Sequence, residues 1–220
     1  MIEDGFSYPM RGDWVGRIII GGVLAIFSIL VLPAFILFGY LVAVIRETIA
    51  GKDEPPEFAH WGELLKDGFI AIVISFIYSI VPVVVIGGIG AVLLGGGSAV
   101  GGDGGGLLAG FGVLSILLLI PIFFLIYYIV PAAISAYADQ NAIGAAFSLE
   151  RLKPVLLSSS YLVAVLSPII VGVAIQVATA VLSITVVGLV LVPFLQFYGN
   201  VAIFRMFGNA YQKSTDSHKY

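Results

Sequence analysis

Two amide side chains, Gln196 and Asn200, are the polar residues whose spacing in this sequence most suggests a site. They are four residues apart, so a helix places both on one face. An amide buried in hydrocarbon needs hydrogen-bond partners. These amides therefore either join neighbouring helices or line a binding site for a neutral polar ligand. The residues of that candidate site are Gln176, Gln196, Asn200, Tyr40, Tyr127 and Tyr198.

Catalytic chemistry has few candidates in this chain. It contains no cysteine, and both histidines, His60 and His218, lie outside the four long apolar runs that carry no charge, residues 18–45, 68–102, 104–138 and 154–204. No Asp, Glu, Lys, Arg or His lies inside those runs, so a serine or tyrosine there has no neighbouring base that could activate it. We therefore predict no catalytic residue, no enzymatic activity and no cofactor.

Glu57, His60 and Glu63 are spaced three residues apart and would share one face of a helix. Such a set could bind a metal ion. A charged face of this kind is more often the solvated side of an interfacial helix, and we favour that interpretation, so we predict no metal site. The formal net charge of -3 provides no basic patch and excludes nucleic acid as a partner.

The composition indicates which elements carry these residues. Hydrophobic residues make up 60% of the chain and charged residues 10%, with a mean hydropathy of +1.12. Charge-free runs cover residues 18–45, 68–102, 104–138 and 154–204. A helix needs about 20 apolar residues to cross a bilayer, whose interior offers no partner to an exposed backbone group. The runs therefore predict membrane-spanning helices, and the last run must cross twice.

We predict an all-α, polytopic transmembrane bundle of five proline-containing spans, forming a single domain over residues 18–210. The predicted spans cover about 18–45, 68–94, 107–135, 155–179 and 184–208, with connectors at 46–67 and 139–153. A Gly-rich loop is predicted over 95–106, an interfacial segment over 1–17 and a tail over 211–220.

Connector 46–67 is predicted to contain a short interfacial amphipathic helix that begins at Pro55 and Pro56. Its apolar stripe consists of Phe58, Trp61, Leu65 and Phe69. Its solvated face consists of Glu57, His60, Glu63 and Asp67. Aromatic residues collect at membrane interfaces, so we expect Trp14, Phe58 and Trp61 to anchor the chain there.

The distribution of Lys and Arg predicts the orientation. With five spans, connectors 46–67 and 139–153 and the carboxyl-terminal residues from Arg205 onward share one side and carry eight positive residues, against two on the other side. The positive-inside rule then places the amino terminus outside and the carboxyl terminus in the cytoplasm. The alternative is that residues 18–45 enter the membrane and return near Pro33, as a re-entrant segment or as two of six helices. This alternative places all ten positive residues, and both termini, on the cytoplasmic side.

Several short motifs carry a resemblance to a known family. They are Ser7-Tyr8-Pro9 with Trp14, Phe38-Gly39-Tyr40, Pro55-Pro56-Glu57-Phe58 with Trp61-Gly62, Ala145-Ala146-Phe147, and Phe197-Tyr198-Gly199 with Arg205. In these motifs the sequence resembles the archaeal membrane-protein family catalogued as domain of unknown function 4013. The resemblance implies a location in an archaeal cell membrane, and it implies no activity, cofactor or site residue.

These observations lead to two functional hypotheses. The first is a non-enzymatic structural or accessory membrane subunit that contacts membrane lipids and another membrane or cytoplasmic protein through its cytoplasmic connectors. The alternative is a carrier or permease for a small neutral or amphipathic solute, because every predicted span contains a proline and the amides of Gln196 and Asn200 lie within a span.

Overall fold

A computed structural model describes residues 2–216, apart from the side chains of residues 160, 164 and 216. His218 and the end of the predicted tail lie outside the described residues. In the described part of the chain, nine α-helices and three short 3-10 turns make up the secondary structure. The helices are α1 (Ile2–Ser7), α2 (Trp14–Ile26), α3 (Val31–Ile49), α4 (Trp61–Val100), α5 (Gly102–Leu117), α6 (Leu119–Gln140), α7 (Leu149–Leu156), α8 (Ser159–Leu182) and α9 (Val186–Asp216).

Within residues 2–216, five helical stretches are long and apolar enough to cross a membrane, which confirms the prediction of a helical membrane protein with five spans. They are Val31–Ile49, Trp61–Val100, Gly102–Gln140, Tyr161–Leu182 and Val186–Thr215. The third stretch joins α5 and α6 across Leu118. The proline at position 121 cannot donate to the carbonyl four residues earlier, and this accounts for the break there.

The prediction of one continuous span over 18–45 is wrong, because the chain breaks between α2 and α3. Leu30 has an extended backbone, and a 3-10 turn at Phe27–Ile29 precedes it. Pro33 does not cause the break. It lies in the first turn of α3, where the backbone N–H that it lacks would have no helical acceptor.

Helices α2 and α3 run in opposite directions along α9. Gly21 of α2 faces Phe197, and Gly22 faces Phe194. Residue numbers therefore rise along α2 where they fall along α9, so the two helices are antiparallel. Tyr40 of α3 contacts Phe197, and Thr48 lies against Gly208, so α3 and α9 are parallel. The first apolar run is therefore a helical hairpin, as in the alternative topology.

This hairpin places the beginning of the chain at the same end of the protein as the last turns of α9. Asp4 in α1 contacts Arg205 and Asn209 of α9. The described residues therefore favour the alternative topology over the prediction that the amino and carboxyl ends lie on opposite sides. The segment Ile2–Met10 meets Trp14–Ile29 at 92°.

The chain forms two compact units. Unit 1 comprises Met1–Ile72 and Pro131–Tyr220, and unit 2 comprises Val73–Val130. In unit 1, α9 is the central helix and packs against α1, α2, α3, α7 and α8. The core of unit 1 includes Tyr8, Tyr40, Leu41, Val44, Phe197 and Val201, all of them buried.

The prediction of a Gly-rich loop over 95–106 is wrong, because in unit 2 α4 continues to Val100 and α5 begins at Gly102. The reversal occupies Gly101 and Gly102, whose φ angles of +65° and +60° favour glycine. A Cβ on Gly97 would lie 2.7 Å from the carbonyl oxygen of Gly105. The glycines therefore allow two helices to pack backbone to backbone, which a sequence pattern alone does not distinguish from a flexible loop.

The short amphipathic helix predicted to begin at Pro55 is also absent, since residues 51–60 contain no helix and α4 begins at Trp61. Pro55 and Pro56 provide no backbone donor, and a proline disfavours helical geometry in the residue before it. We refer to this stretch as connector 51–60.

The other junctions in unit 1 are short. Residues 139–153 contain the end of α6, a 3-10 turn at Ile143–Phe147 and the beginning of α7. Helices α8 and α9 meet at residues 183–185, where Thr185 Oγ1 accepts a hydrogen bond of 2.9 Å from the Gly188 amide.

Candidate functional site

Charged side chains gather at one end of unit 1, which we call the charged end. It contains the amino-terminal residues up to Arg17, connector 51–60 and the adjoining ends of α3, α4, α6 and α9. Arg17, Asp67 and Arg205 are buried. Charged side chains are almost never buried unless they are paired, so a group of buried charges marks a specialised region. We therefore treat this end as the candidate site.

Arg205 connects three parts of the chain that are far apart in the sequence. Its Nε lies 3.1 Å from Asp4 Oδ2, and its Nη1 donates a 2.8 Å hydrogen bond to the carbonyl oxygen of Lys52. Its guanidinium carbon lies 4.3 Å from the centroid of the Tyr8 ring. With a side chain only 7% exposed, Arg205 holds α1, connector 51–60 and α9 together through charge-assisted bonds.

Asp4 is the acceptor at the centre of this arrangement. Besides Arg205, it accepts 2.7 Å and 3.1 Å hydrogen bonds from Arg11 Nη2 and Asn209 Nδ2. Burial alone would raise the pKa of Asp4, but the hydrogen bonds from Arg11 and Arg205 outweigh burial and hold that pKa below its usual value. Asp4 therefore stays ionised at neutral pH.

Side chains of unit 1 hold connector 51–60 by its carbonyl groups. Tyr8 Oη donates to the Glu54 carbonyl at 3.0 Å, and Tyr40 Oη donates to the Pro56 carbonyl at 2.9 Å. Phe58 stacks on Tyr40 with 4.1 Å between ring centroids. Backbone groups outside regular structure need such partners, and these bonds fix the connector in place without a helix.

A second charged group joins α3, α4 and α6. Arg46 Nη1 lies 2.8 Å from Asp67 Oδ2, and Tyr137 Oη donates a 2.6 Å hydrogen bond to Asp67 Oδ1. Arg46 Nε donates to the Ala138 carbonyl at 3.2 Å. Asp67, predicted to lie on a solvated helix face, is in fact only 5% exposed at its side chain.

An open cleft of about 650 Å3 lies between connector 51–60 and the ends of α2, α3 and α4. Its lining includes Arg17, Arg46 and Asp67 from the three helices. It also includes the exposed acids Glu57 and Glu63. A cavity of this size can hold a small ligand. We call it the charged-end cleft.

The predicted amide site is only partly assembled. Gln196 Nε2 donates to Gln176 Oε1 at 3.1 Å and to Thr179 Oγ1 at 2.8 Å, so these amides join α8 and α9. Gln176, Gln196 and Asn200 line a groove of about 240 Å3.

The three tyrosines predicted with these amides do not line that groove. Tyr198 Oη donates to the Phe6 carbonyl, and Tyr40 lies in the aromatic core beside connector 51–60. Tyr127 belongs to unit 2.

The predicted interface anchors lie near connector 51–60 and at the beginning of α2. Trp14 and Trp61 are exposed, while Phe58 is half-buried against Tyr40. His60 is exposed and has a positive φ of 52°. Over residues 2–216, no three His, Asp or Glu side chains are grouped so that they could hold a metal ion.

Sequence patterns missed the residues that build the charged end: Arg17, Arg46, Asp67, Tyr137 and Arg205. Each of the four charged residues flanks a charge-free run, where a pattern assigns it to the solvated ends of helices. The available signal was their position, because charges immediately beside apolar runs can pair with one another once the helices assemble.

Comparison with known proteins gives one match. A family model described as "Protein of unknown function (DUF4013)" matches residues 25–184. No curated protein and no solved structure matches the chain.

Proposed function

Because the chain belongs to the DUF4013 family, whose function is unknown, we propose its role from the geometry of unit 1. It is an integral, multi-pass membrane protein. We propose that it acts as a non-enzymatic structural or accessory subunit of the cell membrane. In this role its charged end faces the cytoplasm and binds a partner protein at the membrane surface.

The proposal rests on the difference between the buried and the exposed charges of the charged end. The buried ions pair inside unit 1, where Arg205 binds Asp4 and Arg46 binds Asp67. Glu57 and Glu63 are exposed at the mouth of the charged-end cleft. A fixed scaffold that presents unpaired acids favours recognition of a basic segment.

The positive residues support the cytoplasmic orientation of the charged end. Of the ten Lys and Arg residues, nine belong to the described part of the chain, and all nine lie in its charged end or in the junctions next to it. Positive residues beside membrane spans are retained on the cytoplasmic side.

Site-specific photocrosslinking in native membranes tests the proposal. A photoreactive amino acid replaces Glu57 or Glu63, and the matched control replaces Glu150, an exposed acid in α7 that does not line the cleft. We expect one protein to be captured reproducibly from positions 57 and 63 and not from position 150. Capture of no common protein, or equal capture from all three positions, contradicts the proposal.

A second candidate function is a carrier for a small neutral or amphipathic solute. The groove lined by Gln176, Gln196 and Asn200 favours it, since α8 and α9 each contain an internal proline that interrupts backbone hydrogen bonding. In proteoliposomes, flux of glycerol or urea above that of empty vesicles, reduced by Gln196→Ala and Asn200→Ala, supports this function. Flux unchanged by both substitutions excludes this groove as its route.

A further inference from the structure

Among the described residues, three buried polar atoms in the lining of the charged-end cleft make no hydrogen bond: Arg17 Nε, Arg46 Nη2 and Glu47 Oε2. Glu47 Oε2 forms an ion pair with Lys52 Nζ, so the two guanidinium nitrogens are the donors left without an acceptor. Arg17 donates to the Arg11 carbonyl at 2.9 Å through Nη1, and its side chain is only 10% exposed. Arg46 uses its other nitrogens for Asp67 and the Ala138 carbonyl. Buried donors in folded proteins almost always have partners, so two such donors beside one cleft require an explanation.

The charges around these donors show what kind of acceptor is missing. Asp67 neutralises Arg46 at 2.8 Å. The carboxylate nearest to Arg17 belongs to Glu54, at 4.0 Å, and that side chain is 63% exposed. Lys52 neutralises Glu47, which is half-buried in the same lining. Arg17 is therefore a buried cation without a close carboxylate, and an oxyanion such as a phosphate would satisfy both its charge and the two donors.

The mouth of the same cleft has the opposite character. Glu57 and Glu63 line it and are exposed, and neither makes an ion pair with any residue from 2 to 216. These carboxylates repel a simple anion and attract a cation. A ligand that carries both charges, with the oxyanion inward and an ammonium group outward, fits both parts of the cleft.

We propose that the charged-end cleft binds a zwitterionic phosphate ester, with its phosphate against Arg17 and Arg46 and its ammonium group against Glu57 and Glu63. The cleft volume of about 650 Å3 lies within the range of small-ligand sites. A phosphoethanolamine group has this chemistry, either as the headgroup of a phospholipid or as a soluble ester. The inference goes beyond the proposed function, because a zwitterion can occupy the cleft whether or not a partner protein binds.

Calorimetric titration of the full chain in detergent tests the proposal with three probes: soluble phosphoethanolamine, inorganic phosphate and ethanolamine. We expect saturable binding of phosphoethanolamine, at least about tenfold tighter than binding of either single-charge probe, because only phosphoethanolamine satisfies both ends of the cleft. Absence of saturable binding, or equal binding of phosphoethanolamine and phosphate, overturns the proposal.

Substitutions at the two ends of the cleft should have different effects. Arg17→Gln should weaken phosphoethanolamine and phosphate alike by about tenfold or more, through loss of a charged donor. Glu57→Gln combined with Glu63→Gln changes only exposed side chains, so this variant should fold normally. It should weaken phosphoethanolamine and strengthen phosphate. The matched control, Glu150→Gln, should change neither affinity, and a double variant that binds both probes as the wild type does overturns the assignment.

Native mass spectrometry distinguishes the two sources of the ligand. The chain is released from nanodiscs that contain phosphatidylethanolamine or phosphatidylglycerol at equal fractions. Retention of phosphatidylethanolamine by the wild type and its loss in Arg17→Gln identify a lipid headgroup. Binding of soluble phosphoethanolamine without retained lipid identifies a soluble ester, and failure of both overturns the site. Photocrosslinking at Glu57 and Glu63 detects a captured protein, whereas these experiments detect a bound ester or lipid. The proposed function and this inference can therefore fail independently.

Discussion

Tyr137 Oη donates a 2.6 Å hydrogen bond to Asp67 Oδ1, joining residues 70 positions apart in the sequence. The bond connects the end of α6 to the beginning of α4, and Arg46 of α3 occupies the other oxygen of the same carboxylate. Three helices therefore meet at one buried carboxylate. Such a carboxylate stabilises the fold only while its partners remain in place.

The first prediction concerns this hydrogen bond. Tyr137→Phe removes the donor and leaves one oxygen of the buried Asp67 carboxylate without it, so we expect the free energy of unfolding to fall by about 1–3 kcal/mol. The control, Tyr127→Phe, alters an exposed ring in unit 2 and should change stability by less than about 0.5 kcal/mol. Thermal unfolding of both variants in detergent measures the difference. Equal melting temperatures for the two variants would show that the bond contributes nothing.

The second prediction concerns Arg205. Arg205→Met removes the partner of Asp4 and the donor to Lys52, so α1 and connector 51–60 should both lose protection. We expect amide hydrogen exchange to accelerate over Ile2–Met10 and residues 51–60, since local opening follows the loss of fixed contacts. Lys66→Met, a change to an exposed cation in α4, is the control and should leave both segments protected. Protection that survives Arg205→Met would contradict the role given to this residue.

The third prediction follows from the lowered pKa of Asp4. Because the folded pKa lies below the ordinary value of 3.8, ionised Asp4 stabilises the folded state above that pH. This stabilisation is lost as the pH falls through the folded pKa, when Asp4 takes up a proton. The protection factors over Ile2–Met10, which correct for the pH dependence of intrinsic exchange, should therefore fall on acidification below about pH 3.8. In Asp4→Asn these protection factors should be low at every pH, and a pH dependence identical to that of the wild type would rule out Asp4 as the titrating group.

The fourth prediction concerns the glycines of unit 2. Gly97→Ala places a Cβ 2.7 Å from the Gly105 carbonyl oxygen and 2.8 Å from the Ala109 nitrogen, so the two helices must separate. We expect a loss of about 1–3 kcal/mol of stability. Gly96→Ala meets no atom within 4 Å and should be neutral or stabilising, because alanine favours the helix. Unfolding curves in detergent compare the two, and equal effects would contradict the close packing.

The fifth prediction concerns topology. The chain contains no cysteine, so single-cysteine variants can be labelled without a background. Glu3→Cys and Glu150→Cys should react with an impermeant maleimide from one face of the membrane, and Ile184→Cys, at the junction of α8 and α9, from the other. Labelling of positions 3 and 150 from opposite faces would contradict the α2–α3 hairpin.

Hydropathy was sufficient to predict the helical membrane fold. Each span must be apolar and must satisfy its own backbone hydrogen bonds, so its residues alone reveal it. The α2–α3 hairpin was not predictable in the same way. Its break at Leu30 lies in an uninterrupted apolar run, so the sequence offered the reversal only as the alternative that places all ten positive residues on one side. The packing of Gly21 and Tyr40 on α9 shows the reversal.

The charged end escaped prediction for a related reason. Asp67 appeared to belong to a solvated face because its partners Arg46 and Tyr137 lie 21 and 70 residues away. Pairings at such distances leave no periodic trace in the sequence. The contact of Gln196 was easier to predict from the sequence, since Gln196 and its partner Thr179 lie on consecutive helices.

The contact between Asp4 and Arg205 has a consequence for biosynthesis. The two residues are 201 positions apart, so the ribosome makes the acid long before its partner exists. At about 5–20 residues per second, the opening helix waits about 10–40 s for the final span. During that interval Asp4 can pair with Arg11, seven residues away, but not with Arg205, so the contact between α1 and α9 forms among the last steps of assembly.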